Sequence, residues 1–307
     1  MLSISVRPSS PASMGFLLIN KPAGISSFRA LQPVKKLYRG LKTGFAGTLD
    51  PGATGLMIVG VGNATRLLKY FEEMNKVYRF NIIPGITTDS YDTDGSVIKH
   101  GDASRITRHD VEKILERFTG EISQVPPVYS ALKVKGKRAC DRARAGEAVS
   151  LAPRNVIIQS LKLEEWSEKV WTMEVTCSKG TYVRSLANDI GERLGCGAVA
   201  SGIRRTAIGR HRVSEAVEIN SEEGLKKLLP VDTAVEHLTV ATVHERFLGR
   251  LLNGNVLTEE SYRLEPGGNR AEDETCRIHD HSGRLLALGL IGPDGSIQPK
   301  MVFAASD

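Results

Sequence analysis

Residues 44–55, GFAGTLDPGATG, place one acidic side chain, Asp50, among four glycines and a proline. The ring of Pro51 disfavours the helical conformation for the residue before it, so Asp50 is expected to be extended. The surrounding glycines permit a tight loop that a bulky ligand can approach closely. The stretch therefore predicts a carboxylate presented on a stiff loop. An Asx-turn or a helix cap would use an aspartate in the same way, whereas a phosphate-binding loop is disfavoured because no Gly-Lys-Ser/Thr follows.

The segments around this loop alternate irregularly between strand and helix patterns. Apolar or alternating runs predict strands at residues 15–20, 56–61, 76–83, 155–163 and 169–177. Apolar residues at helical spacing predict helices at residues 28–38, 63–74, 109–118 and 184–194. Asn63 is the predicted cap of the second of these helices. The order indicates an α+β fold, because a regular βαβ alternation is missing.

A chain of 307 residues is longer than a typical single core organises, so one large and one small domain are expected. Residues 1–13 are polar and contain two prolines, which predicts a disordered leader. Residues 14–238 contain the helix-forming patterns and are predicted to be the catalytic domain. Residues 239–307 consist mainly of short strand patterns separated by turn residues, which favours a small β-barrel.

Basic residues are concentrated in sequence, although the net charge is only +6. Residues 28–42 contain five basic residues and no acidic one, and residues 133–144 contain six basic residues and one acidic one. Solvated faces would explain each cluster alone. Together they indicate a polyanionic partner such as nucleic acid, and composition leaves both interpretations open.

Metal, disulfide and membrane roles are disfavoured by the residue pattern. Four cysteines without CxxC spacing indicate reduced thiols in a cytoplasmic protein. Residues 90–95, SYDTDG, imitate the start of a calcium loop, but the twelfth position is Gly101 rather than glutamate, so a polar hairpin turn is expected. Residues 279–283, HDHSG, likewise favour a hairpin turn over a metal site. No run approaches the roughly 20 apolar residues that span a bilayer.

Five motifs in order resemble the TruB family of bacterial tRNA pseudouridine synthases. They are NKPAGISS (20–27), GTLDPGATG (47–55), KVYRFNIIPGITTDSYDTDG (76–95), QVPPVYSALKVKGKRACDRAR (124–144) and CSKGTYVRSLANDIGERLG (177–195). The ending GSIQPKMVF (295–303) is similar to the small RNA-binding barrel, the PUA domain, that closes these proteins. The resemblance implies the pseudouridine synthase fold, with a central, mostly antiparallel sheet flanked by helices and a C-terminal PUA-like barrel.

The resemblance also implies the reaction and its catalytic residues. Uridine 55 in the T loop of tRNA would be isomerised to pseudouridine, with no metal and no cofactor. Asp50 matches the family's nucleophile, Arg184 matches the guanidinium that keeps it ionised, and Tyr78 matches the tyrosine that packs on the base and relays the C5 proton. Attack at C1′, attack at C6 and a route through a glycal intermediate all remain open. By pattern alone, Arg184 could be a surface ion-pair residue and Tyr78 a core ring.

Further positions match residues that contact the substrate in the family. They are Lys21, Phe45, Tyr182 and Ile203 around the uridine, and Lys133, Lys135, Arg138 and Arg142 in the RNA-clamping insertion. A turn lysine, plain core packing and solvated charges are the alternative interpretations. Phe45 departs from the family, which usually has a histidine there that fills the gap left in the T loop. Cys140 departs as well, since a tyrosine is common at that position.

The implied partner is tRNA, recognised through its T-arm stem-loop. The target base must be flipped out of the loop, which costs roughly a few kcal/mol that phosphate contacts elsewhere must offset. A second hypothesis is that the protein also assists tRNA folding, independently of Asp50. A non-enzymatic RNA-binding module is the rival interpretation. No obligatory protein partner and no membrane are expected, and a monomer suffices.

Overall fold

The computed structural model describes residues 14–130, 132–134, 136–265 and 274–303. The predicted leader, residues 1–13, lies outside these residues, as does Lys135 of the predicted RNA clamp. The side chains of Lys133 and Arg138 also lie outside what is described.

The described residues form nineteen strands and six α-helices, joined by turns and short 3₁₀ segments. The strands are β1 (Gly15–Lys21), β2 (Thr43–Ala46), β3 (Thr54–Val61), β4 (Lys76–Pro84), β5 (Ile86–Thr88), β6 (Val97–His100), β7 (Gly120–Gln124), β8 (Lys133–Val134), β9 (Lys137–Arg138), β10 (Arg154–Trp166), β11 (Trp171–Cys177), β12 (Ala198–Ile208), β13 (His211–Arg212), β14 (Val217–Glu218), β15 (Val240–Val243), β16 (Tyr262–Leu264), β17 (Thr275–His279), β18 (Leu285–Ile291) and β19 (Ile297–Val302). The helices are α1 (Ser27–Leu37), α2 (Leu68–Glu73), α3 (Arg108–Leu115), α4 (Ala139–Arg144), α5 (Val183–Arg193) and α6 (Leu248–Leu252).

A ten-stranded mixed sheet is the centre of the fold. Its order is β14-β1-β3-β12-β4-β11-β10-β7, with β2 paired to β3 and β13 paired to β12. The pairs β1–β14 and β3–β12 are parallel, and the other pairings are antiparallel. The predicted α+β class with a mostly antiparallel sheet is therefore confirmed.

Strand β12 lies in the middle of this sheet and joins its two halves. It pairs with β3 at Arg204↔Thr54 and Arg205↔Gly55, and with β4 at positions that include Arg205↔Tyr78. The sequence analysis did not predict this strand. Its residues, AVASGIRRTAI, lack a clean alternation of apolar and polar side chains, and the pairing with a neighbour on each side makes them a strand.

The helices cover the sheet through their apolar faces. Helix α1 is capped by Ser26, whose side chain accepts a hydrogen bond from the Arg29 amide. Helix α5 packs Leu186 and Ile190 into the main apolar cluster together with strands β4, β11 and β12. The predicted cap at Asn63 is wrong: residues 62–67 form a 3₁₀ segment that starts after Val61 without a side-chain cap, and α2 follows it. The predicted hairpin around residues 90–95 is present between β5 and β6.

The C-terminal residues form a separate five-stranded sheet in the order β16-β15-β17-β18-β19. Among the described residues, no pairing closes this sheet into the predicted barrel. One face encloses its own apolar cluster, which includes Val243, Leu251 and Ile278. Leu285 and Phe303 belong instead to a cluster with residues of the large sheet, so apolar packing crosses the predicted boundary at residue 238.

Three further features bear on the class of protein. Within the described ranges, no helix is long and apolar enough to cross a membrane. No group of three metal-ligating side chains is found in the same part of the chain. All four cysteines are free.

Candidate active site

The loop between β2 and β3 presents Asp50 at the mouth of two cavities. The amide of Gly24 donates to the Pro51 carbonyl at 2.9 Å, and the Ala53 amide donates to the Asp50 carbonyl at 3.1 Å. These bonds fix the part of the loop that follows the aspartate. The Asp50 side chain remains 45% exposed. The stiff loop expected from the glycines and Pro51 is thus present, and the carboxylate is accessible to a ligand.

Arg184 lies against this carboxylate and is itself buried. Its Nε is 2.9 Å from Asp50 Oδ2, and its side chain is 6% exposed. The Nη1 atom donates to the Ser90 carbonyl at 2.9 Å, and Nη2 donates to the Tyr129 carbonyl at 2.8 Å. All three guanidinium nitrogens are therefore engaged, and the cation is held in one orientation next to Asp50. The pairing of residues 50 and 184 expected from the sequence is present.

Lys21 binds the backbone of the Asp50 loop and of the turn at residues 20–25. Its side chain is fully buried, and Nζ donates to the carbonyls of Pro22, Ile25 and Pro51 at 2.8, 2.7 and 3.2 Å. Burial lowers the pKa of Lys21 to about 8, with Asp50 acting against this shift. The position differs from the predicted substrate contact, because the ammonium group is enclosed by backbone carbonyls. Lys21 joins the NKPAGI turn to the residue that follows Asp50.

A cavity of about 860 Å³ opens on one side of Asp50. Tyr78, Tyr182 and Ile203 line it, as the sequence analysis predicts for the uridine pocket. Ile203 is 8% exposed and also belongs to the main apolar cluster. Burial raises the pKa of Tyr182. The structure therefore brings these three side chains together next to the Asp50–Arg184 pair.

Gln124 fixes the backbone of Tyr182 at the start of α5. Its Nε2 donates to the Tyr182 carbonyl at 3.1 Å, and its Oε1 accepts from the Tyr182 amide at 2.8 Å. Gln124 is fully buried at the end of β7. The sequence analysis did not single it out, because a glutamine in a short strand gives no signal of a two-point backbone contact.

Arg205 is a second buried guanidinium in this cavity. It is 1% exposed, and it donates to the carbonyls of Leu56 and Gly47 at 2.7 and 3.0 Å. Burial raises the pKa of Tyr78, and the positive charge of Arg205 acts in the opposite direction. Arg205 was not among the site residues predicted from the sequence. Its doublet with Arg204 gave no indication that one of the two is buried.

A second cavity, of about 920 Å³, lies on the other side of Asp50. Phe45 of β2 lines it together with Phe28, while the hairpin between β5 and β6 contributes Asp89 and Asp92. Burial raises the pKa of Asp92, although Arg184 opposes this effect. The predicted substrate residue Phe45 therefore faces a cavity that contains both apolar and acidic groups.

The predicted RNA clamp forms a small hairpin followed by a short helix. Strands β8 and β9 pair at Lys133↔Arg138 and Val134↔Lys137, and helix α4 follows directly. Arg142 on this helix is paired with Glu147, with Nε 2.6 Å from Oε2. An ion pair competes with the predicted phosphate contact, so Arg142 would have to exchange Glu147 for the RNA. Arg144, which the sequence analysis did not select, lines the 920 Å³ cavity.

Comparisons with known proteins show the family of the chain. Residues 35–183 match the family model described as the TruB family pseudouridylate synthase, N-terminal domain. A protein of Chromohalobacter salexigens named tRNA pseudouridine synthase B is 38% identical over 295 residues, which cover 94% of each chain. The chain belongs to the TruB family. A Dehalococcoides mccartyi protein of the same name is 35% identical, over 94% of this chain and 96% of its own length.

Membership of the TruB family makes the chain a pseudouridine synthase, an isomerase that acts on RNA. The same fold recurs in solved structures. A chain in a structure of an H/ACA RNP bound to a substrate RNA containing 2′-deoxyuridine superposes with a TM-score of 0.74 at 21% identity, covering 98% of this chain and 89% of that one. A chain in a Cbf5–Nop10–Gar1 complex gives a TM-score of 0.72 at 22% identity, covering 97% and 88%. These structures confirm the fold.

Proposed function

We propose that the chain converts uridine 55 in the T loop of tRNA to pseudouridine, with Asp50 as the nucleophile. The relatives named tRNA pseudouridine synthase B support tRNA as the substrate. The observation that carries the proposal is the Asp50–Arg184 pair, in which a buried cation faces an accessible carboxylate beside a cavity. A carboxylate that is paired with a fixed guanidinium and remains accessible is suited to attack on a nucleoside.

The 860 Å³ cavity would receive the flipped uracil. Tyr78 and Tyr182 supply aromatic surface there, and Ile203 supplies an apolar wall. Tyr78 would pack on the base and take part in moving the C5 proton. Attack at C1′, attack at C6 and the glycal route each use a carboxylate next to the target nucleoside, so each is compatible with this arrangement.

The remaining parts of the chain would bind the RNA around the target. Residues 14–238 would form the catalytic domain, and residues 239–307 a PUA-like RNA-binding domain. Phe45 would occupy the gap that the flipped nucleotides leave in the T loop. The segment 133–144 would contact phosphates with Lys133, Lys135, Arg138 and, after release from Glu147, Arg142. The protein would act as a monomer in the cytoplasm, without an obligatory protein partner.

Asp50→Asn is the direct test of the proposed nucleophile. The variant keeps the shape of the side chain but removes its charge, so it is expected to lose pseudouridine formation and to retain binding of a T-arm stem-loop. The readout is tritium release from C5-labelled uridine in tRNA. The control is Asp102→Asn, the same carboxylate-to-amide change at an exposed residue between β6 and α3, which should leave this release unchanged. Full turnover by Asp50→Asn would refute the assignment. Background release by the wild type would favour a binding module without chemistry.

Assistance in tRNA folding is the second proposed activity. It would depend on the RNA-binding surfaces, which extend well beyond Asp50, and so would survive the Asp50→Asn change. Refolding of a misfolded tRNA, followed by recovery of its aminoacylation, measures this activity directly. Loss of folding assistance together with isomerisation in Asp50→Asn would count against a separate function.

A further inference from the structure

Arg205 lies between the Asp50 loop and Tyr78, which both take part in the proposed reaction. On one side of β12 it is the register partner of Gly55, where the Asp50 loop rejoins strand β3. On the other side it is the register partner of Tyr78 on β4. Three neighbouring strands therefore place the end of the loop, the arginine and the tyrosine in one row across the sheet.

Arg205 contacts the loop at both of its ends, with its side chain at Gly47 and with its backbone at Gly55. Its Nη2 donates to the carbonyl of Gly47, and Nη1 would lie 3.2 Å from a Cβ added at that glycine. A Cβ added at Gly55 would lie 2.2 Å from the Arg205 carbonyl oxygen. Gly47 and Gly55 bracket Asp50 in the sequence. The two glycines thus allow the loop to close directly onto this one residue.

The buried charge of Arg205 has an unusual set of partners. Within the described ranges it forms no ion pair with a carboxylate, and its hydrogen-bond acceptors are the carbonyls of Leu56 and Gly47, while Tyr78 is its register partner on β4. Burying a cation without a counter-ion destabilises the folded state, so a contribution to stability alone does not explain an arginine at this position. Its charge favours a negative charge on whatever acidic group lies next to it, and Tyr78 is that group.

We propose that Arg205 is a positioning residue, which fixes the Tyr78 ring relative to the Asp50 loop and stabilises negative charge on the Tyr78 oxygen. The inference rests on the proposed function, in which Tyr78 receives the C5 proton. In that step the C5–H bond breaks and its proton passes to the phenolate, while its electron pair restores the C5–C6 double bond. C6 at the same time releases the π pair that it shares with N1, which takes a proton from solvent, or the Asp50 oxygen if attack was at C6. The neutral phenol then returns the proton to solvent before the next turnover.

Several charged or titratable groups surround Tyr78. Arg205 on β12 lowers its pKa, while Cys177 on β11 and the carboxylate of Asp50 raise it, as burial does. Lys76 on the same strand is bonded to backbone carbonyls at the end of α2, which removes it as a partner for the phenol. Arg205 is therefore the group in position to favour the phenolate.

Arg205→Met and Arg205→Lys test the proposal, with Arg79→Met as the matched control. Arg79 is adjacent to Tyr78 on β4 but is half exposed and paired with Glu164 and Glu165. We expect Arg205→Met to slow single-turnover pseudouridine formation on the order of a hundredfold, with binding of the T-arm stem-loop changed by no more than about twofold. Arg79→Met should leave both quantities at the wild-type values.

A structural role is separated from a positioning role by two further measurements. Titration of ¹³Cζ-labelled tyrosine, assigned with Tyr78→Phe, should show Tyr78 ionising at higher pH in Arg205→Met than in the wild type. Arg205→Met combined with Tyr78→Phe should be no slower than Tyr78→Phe alone, because the arginine acts through the tyrosine. The proposal would be overturned if the rate losses of the two single variants multiplied in the double variant. It would also be overturned if Tyr78 ionised at the same pH in Arg205→Met and in the wild type.

Arg205→Lys keeps the test decisive if Arg205→Met does not fold. Lysine retains the positive charge but lacks the planar guanidinium group. The pH at which Tyr78 ionises should therefore stay near that of the wild type, while the single-turnover rate of pseudouridine formation falls. A wild-type rate in Arg205→Lys would disprove the positioning role. If the wild type itself forms no pseudouridine, the proposed function fails, whereas the titration still decides whether Arg205 controls Tyr78.

Discussion

Arg184 and Asp50 form an ion pair of unequal exposure. The guanidinium is 6% exposed and the carboxylate 45%, although their nearest atoms, Nε and Oδ2, are 2.9 Å apart. The other two guanidinium nitrogens donate to the backbone carbonyls of Ser90 and Tyr129, so the orientation of the cation is fixed. The carboxylate is thereby orientated towards the cavities without being enclosed. Such an arrangement orients a carboxylate and leaves it accessible to a substrate.

Arg184→Lys is expected to lower pseudouridine formation by at least about a hundredfold. A lysine can approach Asp50 but cannot also bond two carbonyls in the plane of a guanidinium, so the carboxylate loses its fixed partner. The measurement is single-turnover kinetics on a T-arm stem-loop, with the dissociation constant determined in parallel. Binding should change little, because the pair acts on the reacting group.

Arg108→Lys is the control for that substitution. Arg108 forms an exposed ion pair with Glu112 on helix α3, at 2.7 Å, and such pairs contribute little. Its kinetics should match those of the wild type. Equal losses in Arg108→Lys and Arg184→Lys would contradict a specific role for the buried guanidinium.

Phe45 should contribute to RNA binding through its ring. Phe45→Leu keeps an apolar side chain but removes the stacking surface, and we expect it to weaken binding of the T-arm stem-loop by roughly 1–3 kcal/mol. Phe45→His restores an aromatic ring of the kind usual in the family and should bind within about threefold of the wild type. Equal affinity of Phe45→Leu and the wild type would show that the ring does not stack on the RNA.

Local sequence patterns were sufficient to predict much of the fold. The apolar run of residues 15–20 and the alternation around Tyr78 and Phe80 gave strands β1 and β4, because each pattern is contained within its own segment. Strand β12 was missed because its conformation is fixed by partners distant in sequence on both sides. Asn63 was wrongly predicted as a cap, since the sequence does not distinguish a 3₁₀ segment from the first turn of an α-helix.

The candidate site was predictable only as far as its motifs extend. Asp50, Tyr78, Tyr182 and Arg184 lie in recognisable motifs, and the fold places them together. The burial of Lys21 and the bonds of Gln124 and Arg205 were not predictable, because each depends on backbone carbonyls or amides from remote segments. A side chain that bonds to backbone leaves no complementary residue in the sequence by which it could be found.

Gly55→Ala should destabilise the fold and displace the Asp50 loop. Gly55 has φ +103°, and an added Cβ would lie 2.2 Å from the Arg205 carbonyl oxygen. Both the backbone conformation and the contact are unfavourable for alanine. We expect a loss of unfolding free energy of about 3 kcal/mol or more, measured by urea denaturation, together with a loss of activity.

Gly120→Ala separates these two effects. Gly120 has a similar φ of +94°, but an added Cβ would meet nothing within 4 Å. Its substitution should therefore show the cost of the backbone conformation alone, about 1–2 kcal/mol, with activity retained. If Gly55→Ala were no more destabilising than Gly120→Ala, close packing of the loop on Arg205 would be ruled out.

The burial of Lys21 should be visible as a dependence of stability on pH. Burial lowers the pKa of this lysine from 10.5 to about 8, so between these values the unfolded chain binds more protons than the native one. The free energy of unfolding contributed by this group therefore rises with pH from about 8 to about 10.5, by at most about 1.4 kcal/mol per pH unit. Lys21→Met removes this contribution. The free energy of unfolding of the wild type minus that of the variant should therefore increase as the pH is raised.

Urea denaturation of both proteins between pH 7 and pH 10 would measure this difference. Lys76, whose pKa burial also lowers to about 8, contributes the same trend to both proteins and cancels. Lys169→Met is the control, since Lys169 is exposed and its removal should leave the pH dependence of the wild type unchanged. If the free energy of unfolding of the wild type minus that of Lys21→Met stayed constant or fell across this range, the native state would hold the Lys21 proton at least as tightly as the unfolded state does. The ammonium group would then not be enclosed beneath the Asp50 loop as the three carbonyl contacts require.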